Sequence, residues 1–141
     1  LLSVTGVGTS QFSSHLQAHC LGIGTSPSGT NGEIRAAGDI TAYYSSDRRL
    51  KENITPIVSS LDKLNKLGGY EYDWKEGIED ITSKKGHDIG VIAQEVEEIF
   101  PTLVTTRENG YKAVQYEKFV PILIEAIKEL KAEIDELKNK K

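Results

Sequence analysis

The residues from about Tyr116 to Lys138 constrain this chain more than any others. Leu123, Ile127, Leu130, Ile134 and Leu137 step by four and three in turn, the heptad spacing that lays one apolar stripe along a helix. Glu133 and Lys138 flank the stripe, where neighbouring helices can pair charges. A stripe this narrow is a coiled-coil seam, and it needs another helix to cover it. Isoleucine at one seam position and leucine at the other favours two strands in isolated peptides. The chain therefore ends in a long helix that seeks company.

Composition agrees. The 141 residues suffice for one domain, or for one small domain and a fragment. Hydrophobic content is 38%, low enough that one copy is expected to complete its burial by association. A net charge of −4 gives no general attraction to nucleic acid or an anionic membrane, and neither is an expected partner. No apolar run reaches the length of a membrane span, so no membrane insertion is expected. The start at Leu1-Leu2 has no basic signal-peptide opening and reads as a piece cut from a longer protein. Cys20 is the single cysteine, which excludes an internal disulfide framework and a cysteine-rich zinc site. His15 and His19 have helical ligand spacing beside Cys20, yet nothing predicts a helix there and no fourth ligand is evident. No metal and no cofactor are expected.

The first 45 residues are rich in Gly, Ser and Thr and nearly free of charge. Gly22 to Gly29 reads as strand then turn. From Glu33 to Ala42 the chain alternates, with Ile34, Ala36, Gly38, Ile40 and Ala42 on one face, a strand signature. That face is narrow and made mostly of small residues, so it needs a close-packed partner. Further on, Thr55 can cap a helix opened by Pro56, carried by Ile57, Val58, Leu61 and Leu64 and ended by Gly68-Gly69. Tyr70, Tyr72 and Trp74 alternate with polar residues as a half-buried strand. Glu76 to Gly86 is a polar, mobile loop, and His87 to Ala93 a strand that turns apolar. A short helix from about Gln94 to Ile99 stops at Pro101. Leu103 to Thr106 and Tyr111 to Val114 form a hairpin around Asn109-Gly110.

Between the uncharged and charged regions stands Ser45-Ser46-Asp47-Arg48-Arg49-Leu50-Lys51. A serine becomes a nucleophile when a neighbouring base takes its proton, and an uncharged lysine amine is such a base. Burial and the field of Arg48 and Arg49 favour the uncharged amine; Asp47 opposes it. Ser46 and Lys51 are five apart, about 140° around a helix, so they meet only across a turn or between chains. On the residues alone, a loop capping a helix is the better account of this stretch. Glu95, Glu97 and Glu98 invite a carboxylate-pair reading, but Glu97 and Glu98 are expected in solvent. His87 reads as an ordinary polar residue, and Tyr70, Tyr72 and Trp74 as core more than as a sugar platform.

The run Ser46 to Lys51 followed by Glu52-Asn53-Ile54 resembles the opening of the self-cleaving intramolecular chaperone domain that ends many bacteriophage tail fibres, tail spikes and endosialidases. The resemblance continues in Gly90-Val91-Ile92-Ala93-Gln94-Glu95-Val96, in Phe100-Pro101 and from Tyr116 through Leu130. It implies an α+β chain: residues 1–45 as the β-rich end of the mature fibre shaft, then 46–141 as chaperone and autoprocessing domain. That second part comprises a helix, strands, a hairpin and a coiled-coil helix over 116–138, in an intertwined homotrimer. Three strands are preferred here to two, because two heptads are too few to set stoichiometry against a trimeric shaft.

The resemblance further implies a single-turnover serine peptidase with Ser46 as nucleophile and Lys51 as base. It would cut between Ser45 and Ser46, with Asp47, Arg48 and Glu95 as possible support. The partners implied are two further copies, the upstream shaft as folding client and a host cell-surface receptor for the mature fibre. The shaft part belongs to the virion tail fibre, and the chaperone is released in the host cytoplasm during assembly. The rival readings are a trimerisation domain that does not cleave and a glycan-binding fibre tip.

Overall fold

The computed structural model describes residues 18–140, apart from 28, 30 and 31. His15 and most of the early glycine-rich run lie outside the described residues. The chain divides into two units: one holds residues up to Tyr43 together with Lys75–Lys85, the other Tyr44–Trp74 with Gly86–Lys141.

In the first unit, β1 (Leu21–Ile23) pairs in parallel with β2 (Ile34–Ala36), Leu21 opposite Ile34 and Ile23 opposite Ala36. The ladder continues at both ends, where Leu21 N–H donates to Glu33 O and Ala37 N–H to Ile23 O, each at 2.9 Å. The turn after β1 folds back tightly, so a Cβ at Gly22 would lie 2.2 Å from the Thr25 carbonyl oxygen. Only glycine fits there. The strand expected over 33–42 is shorter: its regular part is Ile34–Ala36, and Ile34 and Ile40 stand exposed. A two-stranded ribbon with a small-residue face has too little to pack against to extend further in a single chain. Residues 75–85 form turns without helix or strand, with Ile81 and Thr82 N–H both donating to Ile78 O.

The second unit is built around Val96, Phe100, Leu103, Ile122 and Ala126, the buried apolar side chains among the described residues. Helix α1 is Ser60–Leu64, not the longer helix expected from Pro56. Ser59 takes a left-handed conformation (φ 55°), which breaks any helix running in from Thr55, and neither Ser59 nor any other serine or threonine side chain caps it. Strand β3 (Tyr70–Asp73) pairs antiparallel with β4 (His87–Gly90), Tyr70 opposite Gly90. The strand expected through Ala93 stops at Gly90, and Ala93 instead opens α2 (Ala93–Ile99). Phe100 N–H closes α2 on Val96 O, and Pro101 opens a 3-10 turn ending at Leu103.

The hairpin forms as expected from β5 (Val104–Thr106) and β6 (Lys112–Val114), Val104 opposite Val114. At its turn Gly110 N–H reaches back to Arg107 O at 2.8 Å, and glycine alone takes positive φ (82°). That arrangement places one left-handed residue after an ordinary turn, where two would be needed for the tighter two-residue form. A 3-10 turn at Tyr116–Lys118 leads into α3, Phe119–Asn139. Phe119 meets Phe100 edge to face at 6.4 Å, a favoured aromatic geometry.

Helix α3 carries two apolar stripes. Ile122 and Ala126 face the chain's own core. Leu123, Ile127, Leu130, Ile134 and Leu137, the heptad residues, are all exposed, Ile127 and Leu137 at 65%. Isolated exposed apolar side chains are ordinary; a continuous stripe of them marks an interaction surface.

Candidate functional site: the Ser46–Lys51 turn

Asp47 starts the site. Its backbone is extended (φ −61°, ψ 134°), and its carboxylate accepts the Arg49 N–H at 2.8 Å, as an N-cap does. The chain then makes a single 3-10 turn over Arg48–Leu50, with Leu50 N–H on Asp47 O and Lys51 N–H on Arg48 O, each at 3.1 Å. Arg49 folds its guanidinium back onto the same carboxylate, Nη2 donating to Oδ2 at 2.8 Å and Nε to Oδ1 at 3.1 Å. Lys51 returns to extended backbone (φ −127°, ψ 141°). Extended chain on both sides of one tight turn swings two side chains together that a helix would hold apart. Lys51 Nζ donates to Ser46 Oγ at 2.7 Å.

The turn is electrostatically tight although it is exposed. The Arg49 guanidinium holds the Asp47 carboxyl below its usual range, helped by the Arg49 N–H and the charge of Lys51. The same contact raises Arg49. Asp47 therefore spends its charge on Arg49, leaving the Lys51 amine directed at the hydroxyl. Ser45 precedes the pair and Arg48 lies within the turn.

Glu95, on α2, accepts the Tyr70 hydroxyl through both oxygens at 2.9 and 3.0 Å, and Tyr70 is raised by that carboxylate. Among the described residues it shares no hydrogen bond with Ser46 or Lys51. Glu97 pairs with Lys112 across to the hairpin. Tyr72 and Trp74 are half-buried and meet edge to face at 5.4 Å, with the Trp74 indole N–H given to Asp88 at 3.0 Å. That is the packing of a core edge, as expected for these two, whereas Tyr70 stands exposed. His87 faces Asp73 at 3.2 Å, and His19 Nε2 lies 2.9 Å from Gly29 O.

Two contacts of the dyad segment were invisible in the sequence. Upstream, the Tyr44 hydroxyl donates to Glu117 at 3.4 Å. Downstream, the Glu129 carboxylate accepts the N–H of Ser60 at 3.0 Å and of Leu61 at 2.8 Å. These backbone donors hold Glu129 below its usual range, against a small opposing effect of burial, with Ser59 N–H and the Lys63 charge adding to them. Both partners are about seventy positions away along the chain, so no periodicity reports them.

With this geometry in view, the comparisons decide the family. Residues 46–105 match the model Peptidase_S74, described as chaperone of endosialidase. Residues 46–105 belong to the chaperone-of-endosialidase family.

The chain is also similar to long tail fiber protein Gp37 of Enterobacteria phage K3, 35% identical over 119 residues. That alignment takes in 78% of this chain and 9% of the relative. The same protein of Salmonella phage S16 is 34% identical over 119 residues, 16% of its length. That of Enterobacteria phage M1 is 34% identical over 101 residues, 69% of this chain and 40% of the relative. The chain thus spans a small part of the first of these fibres. The chaperone match begins at Ser46, the residue that accepts the Lys51 hydrogen bond.

Proposed function

We propose that this chain is the chaperone end of a phage tail fibre, which assembles three copies, sets the register of the fibre shaft upstream and then cuts itself free between Ser45 and Ser46. The observation that carries the reading is the 2.7 Å hydrogen bond between Lys51 Nζ and Ser46 Oγ, within the reach a general base requires. The exposed heptad stripe of α3 supports the assembly step. Residues 1–45 are then the end of the shaft, and 46–141 the assembler, with 116–138 its trimerisation helix.

The chemistry is a single turnover. Lys51, as the uncharged amine, takes the Ser46 hydroxyl proton while Oγ attacks the carbonyl carbon of Ser45. The peptide C–N bond breaks, the proton passes to the departing Ser46 nitrogen, and an ester joins Ser45 to Ser46 Oγ. Water hydrolyses the ester, leaving a Ser45 carboxylate and Ser46 with a free amine and its hydroxyl restored. Asp47 and Arg48 hold the turn that aims the pair. Ser46 and Lys51 are both exposed in the single chain; a neighbouring copy laid over them would exclude water and favour the uncharged amine. Cutting would then follow assembly.

The logic of a removable assembler is kinetic. Intertwined shaft strands pair over long range and form slowly, and a coiled coil gathers three shaft ends at high local concentration. Once the assembler has left, the shaft lacks its easy route back to the unfolded state. The mature fibre would go to the virion to meet a host surface receptor, and the chaperone part would stay in the host cytoplasm.

Freshly expressed protein run on a denaturing gel, with mass spectrometry of the bands, tests this. A product beginning at Ser46, absent from Ser46→Ala and Lys51→Ala, supports it. An uncut chain that still assembles would leave the non-cleaving trimerisation domain as the answer. Mixing Ser46→Ala with Lys51→Ala chains before assembly asks whether the pair works across copies, since only then does the mixture cut.

A further inference from the structure

The segment that carries the dyad meets the long helix and its opening turn at two points, one on either side of the dyad. From Lys51 to Ser59 it has no helix or strand, and Asn53 and Ser59 both take left-handed backbone. Little within the segment itself holds its path. Besides the packing of Ile57 on the core and the bond from Lys63 Nζ to Val58 O at 3.0 Å, two glutamates belonging to α3 and its opening turn hold it. Glu117 takes the Tyr44 hydroxyl on the upstream side, and Glu129 takes two backbone N–H groups at Ser60 and Leu61 on the downstream side. They stand twelve positions apart, Glu117 in the 3-10 turn and Glu129 within α3.

Of the two, Glu129 makes the firmer contact. A carboxylate accepting two N–H groups is a charge-assisted pair of bonds, each stronger than a neutral one. It also sits in the helix that bears the heptad stripe, between the seam residues Ile127 and Leu130. Ser60 is fully buried, and Ile57, just upstream, packs against the core. The place where the dyad segment becomes fixed is therefore a contact with the assembly helix.

We propose that Glu129 is a positioning residue for the Ser46–Lys51 pair: its carboxylate pins the downstream end of the dyad segment to the assembly helix, so that the cut waits on that helix being in place. The inference rests on the self-cleavage reading above. Glu129 touches neither reacting group and acts through the backbone it holds.

The test compares full-length wild type, Glu129→Ala and Glu129→Gln in a time course of cutting, with the mass in solution followed by light scattering. Glu129→Ala is expected to assemble and to cut about tenfold slower or worse, the factor that losing one charge-assisted hydrogen bond of ordinary strength produces. Glu129→Gln, whose amide oxygen can still accept an N–H, is expected to regain part of the rate. Glu129→Ala that assembles and cuts at the wild-type rate overturns the proposal. So does a loss of cutting that always matches a loss of assembly, with no recovery in the glutamine variant.

A second readout does not depend on cutting. In the uncut Ser46→Ala background, hydrogen exchange over residues 46–64 should quicken with Glu129→Gln while residues 87–106 stay protected. Unchanged exchange over 46–64 overturns the proposal. If wild type never cuts, the self-cleavage reading fails and the positioning role falls with it, while quickened exchange still assigns Glu129 the anchoring of this segment.

Discussion

Gly90 and Tyr116 are fitted to each other: a Cβ at position 90 would lie 2.7 Å from the Tyr116 hydroxyl oxygen, and that oxygen also accepts the Val91 N–H at 3.3 Å. The tyrosine at the head of α3 thereby rests against the end of β4. Gly90→Ala should displace Tyr116 and destabilise the second unit, whereas Gly69→Ala, with open space at its Cβ, should not. Thermal melts of both variants check this, and equal effects would refute the fit.

The N-cap at Asp47 gives a graded expectation. Asp47→Ala removes the acceptor of the Arg49 N–H, so the turn loosens and cutting should slow by about fivefold, as loss of an ordinary cap does. Asp47→Asn keeps an acceptor and should cut faster than the alanine variant. Time courses of cutting for the two variants beside wild type check this order.

Acid should release the anchor at Glu129. Its folded value is lowered from 4.5, so its stabilising effect is full above the unfolded value and is lost as pH falls through the lower, folded one. Asp47, lowered from 3.8, behaves the same way. Exchange of the Ser60 and Leu61 amides should therefore stay slow at neutral pH and quicken, beyond the intrinsic pH trend, only once the pH has fallen below the usual glutamate range. Glu129→Gln should abolish that added pH dependence.

Ser60 offers a gain in stability. Its hydroxyl is buried without a hydrogen-bond partner, an arrangement that costs roughly 1–3 kcal/mol. Ser60→Ala keeps the backbone N–H that Glu129 holds and should raise the melting temperature. Leu103→Ala, in the same unit's core, should lower stability by about 2–5 kcal/mol. Denaturant unfolding of the two variants should move in opposite directions.

Charges on the stripe should separate folding from assembly. Ile127→Lys with Leu130→Lys leaves Ile122 and Ala126 packed on the core, so circular dichroism should stay close to that of wild type at low concentration. The mass in solution should fall to that of one chain, 15.5 kDa. A wild-type chain already of that mass would remove the basis for three copies.

The sequence was most legible where local patterning decides the structure. The 3.5-residue spacing of Leu123 to Leu137 marked α3, Pro101 marked the end of α2, and Asn109-Gly110 marked the hairpin. It was least legible where a distant group decides. Thr55-Pro56 is a good helix opening by its letters, yet α1 starts at Ser60 because Ser59 turns left-handed and Glu129, far along the chain, supplies the acceptor that a local cap would have given. The alternation over 33–42 promised a longer strand than the single chain forms, since alternation reports which residues could share a face and not whether anything covers it. At the candidate site the turn was expected as a necessity of spacing, but the Arg49 clamp on Asp47 that sets its shape was not read from the letters.

Because no residue belongs to both stripes of α3, the helix is answerable to its own chain on one side and, under the proposed assembly, to its neighbours on the other. Substitutions can retune which copies meet, how many, and how firmly, while the interior of each copy goes undisturbed. One rod with two independent edges would, under that proposal, let a fibre change its assembly partners without having to reinvent the module that recruits them.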